Sequence, residues 1–147
     1  MGTFLDQFQQ AVQRIQARAE RVAEDVVIEV GERLLEYSPI GDPSTWKMPA
    51  PPGYVPGQFI ASWHHSFDTP SSDFSSTIDR SGSPSRQEFK YGAMAQPFAA
   101  HFFTNSLPYA MPLEHGWSPQ APKAGIVGKT ALDFPGIVRQ VMAEAKP

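Results

Sequence analysis

The chain opens with an apolar pattern that only a long helix satisfies. Apolar or small side chains recur at Phe4, Phe8, Val12, Ile15, Ala19, Val22, Val26, Val30 and Leu34, every third or fourth position, which places them on one face of an α-helix. From Phe4 to Tyr37 only Gly31 breaks the run. At about 1.5 Å per residue such a helix extends roughly 50 Å, longer than a small domain is wide. It must project from its own domain or pack against something outside it. Thr3, with Asp6 three residues on, fits an N-cap, and Ser38-Pro39 fits a stop. The polar face carries Arg14, Arg18, Arg21, Glu24, Asp25 and Glu29, the composition of a solvated face with local ion pairs.

The character then changes. SPIGDPSTWKMPAPPGYVPG, residues 38–57, holds six prolines with Trp46 and Tyr54 among them. Each proline fixes its own φ and pushes the residue before it towards extended backbone, so neither helix nor sheet fits. Flexible linkers seldom carry Trp and Tyr, so the segment is expected to be an arm that docks on a neighbour.

QFIASWHHSFDT, residues 58–69, alternates Phe59, Ala61, Trp63, His65 and Phe67, predicting a short helical turn that leads into a strand reaching Asp68. Residues 70–86 are Ser-rich, with Phe74 and Ile78 as strand anchors around a hairpin-like turn at Ser81-Gly82-Ser83. Residues 88–95 carry no assignable pattern, whereas FAAHFFTN, residues 98–105, suits a buried strand. A short helix is predicted from Tyr109 to His115, begun after Pro108 and closed at Gly116. Pro135-Gly136 interrupts the last apolar stripe, predicting a strand or ragged turn up to Asp133 and a helix only after it. The expected fold is α+β: a long N-terminal helix (4–37), the proline-rich loop (38–57), and a core of 58–147 with a small, mostly antiparallel sheet, a short helix and a C-terminal helix, all in one domain.

Composition narrows the function. The chain has 147 residues, no cysteine and a net charge of −3. That length can bury a core unaided, the missing cysteine removes disulfides and thiolate chemistry, and no global basic field would draw the protein to nucleic acid. No apolar run is long enough for a membrane span and the N-terminus lacks the order of a signal peptide, so a soluble protein without a cleaved leader is expected.

Chemistry is hard to find. No HExxH or Cys/His metal spacing and no GxSxG is present. The adjacent His64 and His65 would point to opposite faces of a strand. A metal or general-base site would have to be assembled through the fold from His65, His101 and Glu114, and a carboxylate pair from Asp68, Asp73, Asp79 and Glu114 has no favoured spacing. No phosphate-binding loop is recognisable, and Arg80, Arg86 and Lys90 are the scattered cations that could meet a phosphate backbone. Catalytic residues, metal and cofactor are all expected to be absent.

The most compressed stretch is LPYAMPLEHGWSPQAP, residues 107–122, with four prolines in sixteen residues. Taken in order, SPIGDPSTWK, PPGYVPGQFIASW and TNSLPYAMPLEHGWSPQAPKAGIV resemble the neck and tail-completion proteins of long-tailed bacteriophages, which join a finished tail to a packaged head. The resemblance rests on Ser38 to Asp42, on Gly57 to Trp63, and on Asn105, Tyr109, Ala110, Leu113, Glu114, Gly116 and Ser118, followed by Gln120-Ala121-Pro122. Pro135-Gly136 and the weakened basic position at Gly128-Lys129 depart from it. The resemblance implies a non-enzymatic virion protein, assembled in the host cytoplasm into a sixfold or twelvefold homo-oligomeric ring. Its partners would be the head–tail adaptor and the tail terminator or tail tube, with DNA possible in the channel and no membrane. Alternatives are a tail terminator capping the tube, or an enzyme using histidine and carboxylate. Aromatic side chains dominate interface hot spots, so Trp46, Tyr54, Trp63, Tyr109 and Trp117 are the expected anchors. Glu114 is expected to accept hydrogen bonds that fix the loop, and Gly116 to make its turn.

Overall fold

A computed structural model describes residues 2–41, 43–50, 52–73 and 75–145; Asp42 of the Ser38–Asp42 turn and Phe74 lie outside them. The fold is α+β. Helix α1 (Phe4–Tyr37) is followed by a 3-10 turn at Pro43–Thr45, a second at Ile60–Ser62, strand β1 (Trp63–Phe67), helix α2 (Ser83–Ala95), strand β2 (His101–Asn105), helix α3 (Ala110–Glu114) and helix α4 (Ile126–Glu144). The strands pair antiparallel from Trp63↔Asn105 to Phe67↔His101.

α1 starts with a full capping box. The Thr3 hydroxyl accepts from the Asp6 N–H at 3.2 Å and the Asp6 carboxylate accepts from the Thr3 N–H at 3.0 Å, satisfying donors a helix end otherwise leaves open. At the other end Ser38 Oγ donates to the Leu34 carbonyl at 2.6 Å and accepts from Trp63 Nε1 at 2.9 Å, so the helix stop also anchors β1. Only the last turns of α1 enter the core, through Gly31, Leu34 and Leu35. α2 packs against them, and α4 lies along a neighbouring face of α1. Gly31 is needed for this: a Cβ there would lie 2.4 Å from Phe89 Cδ2 of α2.

Residues 83–95 form a helix where the sequence predicts a hairpin turn and then no pattern. Ser85, Phe89, Gly92 and Ala93 are its buried residues, a helical spacing concealed by a serine, a glycine and a polar start. Pro84 stands in the first turn, where its missing N–H costs nothing. Ile78 lies in no strand and is exposed.

α4 is likewise a correction. It begins at Ile126 and runs unbroken through Pro135. The proline deletes one main-chain bond, to the Ala131 carbonyl, but Ala131 and Pro135 both lie on the exposed side. The buried residues Ile126, Thr130, Ile137 and Val141 span the proline on one face, and burial of that stripe holds the helix together.

Candidate interaction surface

Residues 107–122 tie the molecule's parts to one another. Asn105 Nδ2 donates to the Phe59 carbonyl at 2.8 Å and its Oδ1 accepts from the Leu107 N–H at 3.3 Å, so β2 hands the chain into the motif in a set direction. The Tyr109 hydroxyl bonds Gln58 Oε1 at 3.3 Å. Glu114 accepts from two main-chain donors of the first turn of α4, Val127 N–H at 2.9 Å and Gly128 N–H at 3.1 Å. A carboxylate there satisfies open donors and meets the positive end of the helix dipole. The approach depends on Gly125, which has φ 91° and where a Cβ would stand 2.1 Å from Glu114 Oε1. The role expected for Glu114, holding the loop by hydrogen bonds, is the geometry seen. Gln120 Oε1 accepts from the Gly41 N–H at 2.9 Å, closing the motif onto the arm.

The expected aromatic anchors divide into two groups. Trp46, Trp63 and Tyr109 keep only 8%, 4% and 2% of their surface. Their rings run in a ladder: Trp46 to Tyr54 at 4.7 Å, Tyr54 to Tyr109 at 5.1 Å, Tyr109 to Phe59 at 6.3 Å and Phe59 to Trp63 at 5.9 Å. The arm docks on its own chain, because the motif and the start of β1 supply apolar faces for it at short range. Tyr54 is half-buried, and burial, with Tyr109 beside it, pushes its phenol up to about 12. Trp117 is half-buried and Gly116, with φ 95°, is exposed.

The histidines form a second cluster. His65 Nε2 and His101 Nδ1 are 2.7 Å apart across the sheet, one donating and the other accepting. Glu88 of α2 accepts from the His65 main-chain N–H at 2.8 Å and stands 3.2 Å from His64 Nδ1. Burial, reinforced by His101, pulls the His65 pKa below the ordinary histidine value. Glu114, on α3, is engaged with α4 instead of this pair. Among the described residues no three His, Cys, Asp or Glu side chains are grouped to hold a metal ion. Arg86 pairs with Glu32 at 2.6 Å, while Arg80 and Lys90 are exposed.

The largest unsatisfied feature is apolar. Phe4, Phe8 and Ile15 are 81%, 57% and 70% exposed, with Leu5 and Val12 also exposed beside them. They continue the α1 stripe, but α4 reaches it only as far as Met142, which shares a hollow of ≈390 Å³ with Ile15, Ala19, Val22 and Ala23. Nearer the core, two adjoining hollows of ≈360 and ≈460 Å³ form a groove between α1, β2 and α4, lined by Val26, Val30, Phe103, Val127, Ala131 and Phe134. The groove escapes sequence reading because it needs β2 and an unbroken α4 side by side. A second α4 stripe at Val127, Ala131 and Phe134 is its one sequence trace.

No protein-family model, curated protein or solved structure matches the chain. No helix among the described residues is long and apolar enough to cross a membrane.

Proposed function

We propose that the chain is a structural subunit of the neck of a long-tailed bacteriophage, completing the tail and joining it to the head within a homo-oligomeric ring. The observation that carries this reading is the unpartnered apolar end of α1, exposed from Phe4 to Ile15 in a chain whose ordered motifs resemble the neck family. Contiguous exposed apolar surface of this kind marks protein contact sites, and a ring repeats one heterologous contact around its axis. The internal bonding of residues 107–122 supports a rigid surface in place of a reacting loop. Tyr54, Glu114, Gly116 and Trp117 stay with that surface, while Trp46, Trp63 and Tyr109 serve it from beneath. The flanking proteins would be the head–tail adaptor on one side and the tail terminator or tube on the other.

Mass spectrometry of purified virions tests the reading: the protein should be present in stoichiometric amount, and its absence from intact particles overturns it. Disrupting the gene should leave filled heads and tails of normal length that fail to join. Tails of uncontrolled length would move the assignment to the tail terminator.

A further inference from the structure

We propose that the exposed end of α1 in one copy lies in the α1–β2–α4 groove of the next, a head-to-tail contact between copies of this chain. The inference rests on the oligomeric reading above and names the surfaces that would make it.

The donor surface is Phe4, Leu5, Phe8, Val12 and Ile15, all exposed on one side of a capped helix. The acceptor is the groove beside Val26, Val30, Phe103, Val127, Ala131 and Phe134, where Phe134 and Val127 are themselves 46% and 52% exposed. A chain cannot fill its own groove with its own helix end. Both belong to α1, and from Ile15 to Val30 the unbroken helix runs about 22 Å at 1.5 Å per residue. Charge agrees with self-contact: neither the stripe nor the groove lining carries an Asp, Glu, Lys or Arg side chain, and between Phe4 and Gln13 the only acidic or basic residue is Asp6, already used in the cap. The flanks are Gln7, Gln9, Gln10 and Gln13 along the first turns, with Arg14 and Arg18 beside Ile15 at the far end of the patch. Area agrees as well. Aromatic side chains bury about 150–250 Å² each, so two phenylalanines and three aliphatic residues approach the roughly 800 Å² per partner of a stable interface. Donor and acceptor are different patches, so the contact propagates until it closes.

The absence of native cysteine allows a clean test on the full chain. Phe8→Cys and Ala131→Cys proteins, mixed and oxidised, should give a cross-linked heterodimer, whereas either alone should give little. Light scattering should show the native protein as an oligomer, and Phe8→Glu and Phe134→Glu each as a single chain of 16.2 kDa. Mixing those two should restore one junction only and stop at a 1:1 dimer. Circular dichroism should show both variants folded; if Phe134→Glu is not, Ala131→Glu replaces it. Full oligomers from the groove variant with none from Phe8→Glu would mean that helix ends pair with each other, and would overturn the proposal. A native protein that stays monomeric at high concentration would overturn it too. Such a protein could still be found in virions, so the neck reading fails or stands separately.

Discussion

The two halves of α1 carry the same stripe and meet opposite fates. At the C-terminal end Leu34 and Leu35 keep 3% and 2% of their surface, enclosed by α2, α4 and the aromatic ladder. At the N-terminal end Phe4 and Phe8, equally apolar, stand in solvent. Helical periodicity is therefore a statement about which side chains share a face, and not about whether that face is covered. What covers it is the length of the partner: α4 has 19 residues against 34 in α1, and the difference is left bare. The proline-rich arm is the converse case. It has the composition of a segment that leaves home, yet Trp46 and Tyr54 find partners within the chain.

The sharpest break of this comparison is a matched pair of truncations. Leu35→Ala should cost about 2–5 kcal/mol of folding stability, the usual range for emptying a core site. Phe8→Ala should change the isolated chain by less than about 0.5 kcal/mol, and its effect should appear in association. Urea denaturation at low protein concentration measures both, and a large loss from Phe8→Ala would mean that the helix end is covered within one chain. Gly31→Ala tests the close approach of α1 to α2; overpacking against Phe89 should cost about 1–3 kcal/mol. Glu114→Ala should cost about 1 kcal/mol through loss of the α4 cap, and Glu114→Gln, which keeps one acceptor, should cost less.

Acid should separate the halves more gently. Since His65 binds its proton less readily folded than unfolded, the unfolded chain takes up more protons as pH falls, so stability is full above about 6.5 and declines below it. His65→Gln should flatten that slope in thermal melts at low concentration, while Phe8→Ala should leave it unchanged. The smallest effect concerns the exposed Arg33–Glu36 pair, 3.2 Å apart. Arg33→Gln should cost no more than about 0.5 kcal/mol, and less still in high salt.

Legibility followed the range of the forces involved. The bounds of α1 could be read because Thr3, Asp6 and Ser38 act within a few residues of the helix ends. The turn into β1, the strand at FAAHFFTN and the short α3 were legible for the same reason. α2 was not, since its pattern makes sense only once Phe89 faces Gly31, more than fifty positions away. At Pro135 the sequence predicts a break in α4 because the loss of one hydrogen bond is local and visible, whereas the buried face that outweighs it is assembled against α1. Of the surface residues, Glu114 was legible as a loop-holding carboxylate; that it caps α4 required Gly125 to be brought beside it.

By itself the sequence determined the long amphipathic helix, its caps, an α+β order of elements and the stiffness of residues 107–122, because each depends on periodicity, backbone restriction or neighbours a few residues apart. Only the tertiary structure decided that the aromatic arm folds home, that Trp46, Trp63 and Tyr109 are core, and that α4 stops short of the end of α1. Those outcomes depend on which surfaces the fold brings together and how long each element is. The bare end of α1 remains because α4, with 19 residues against 34, covers only part of its apolar stripe.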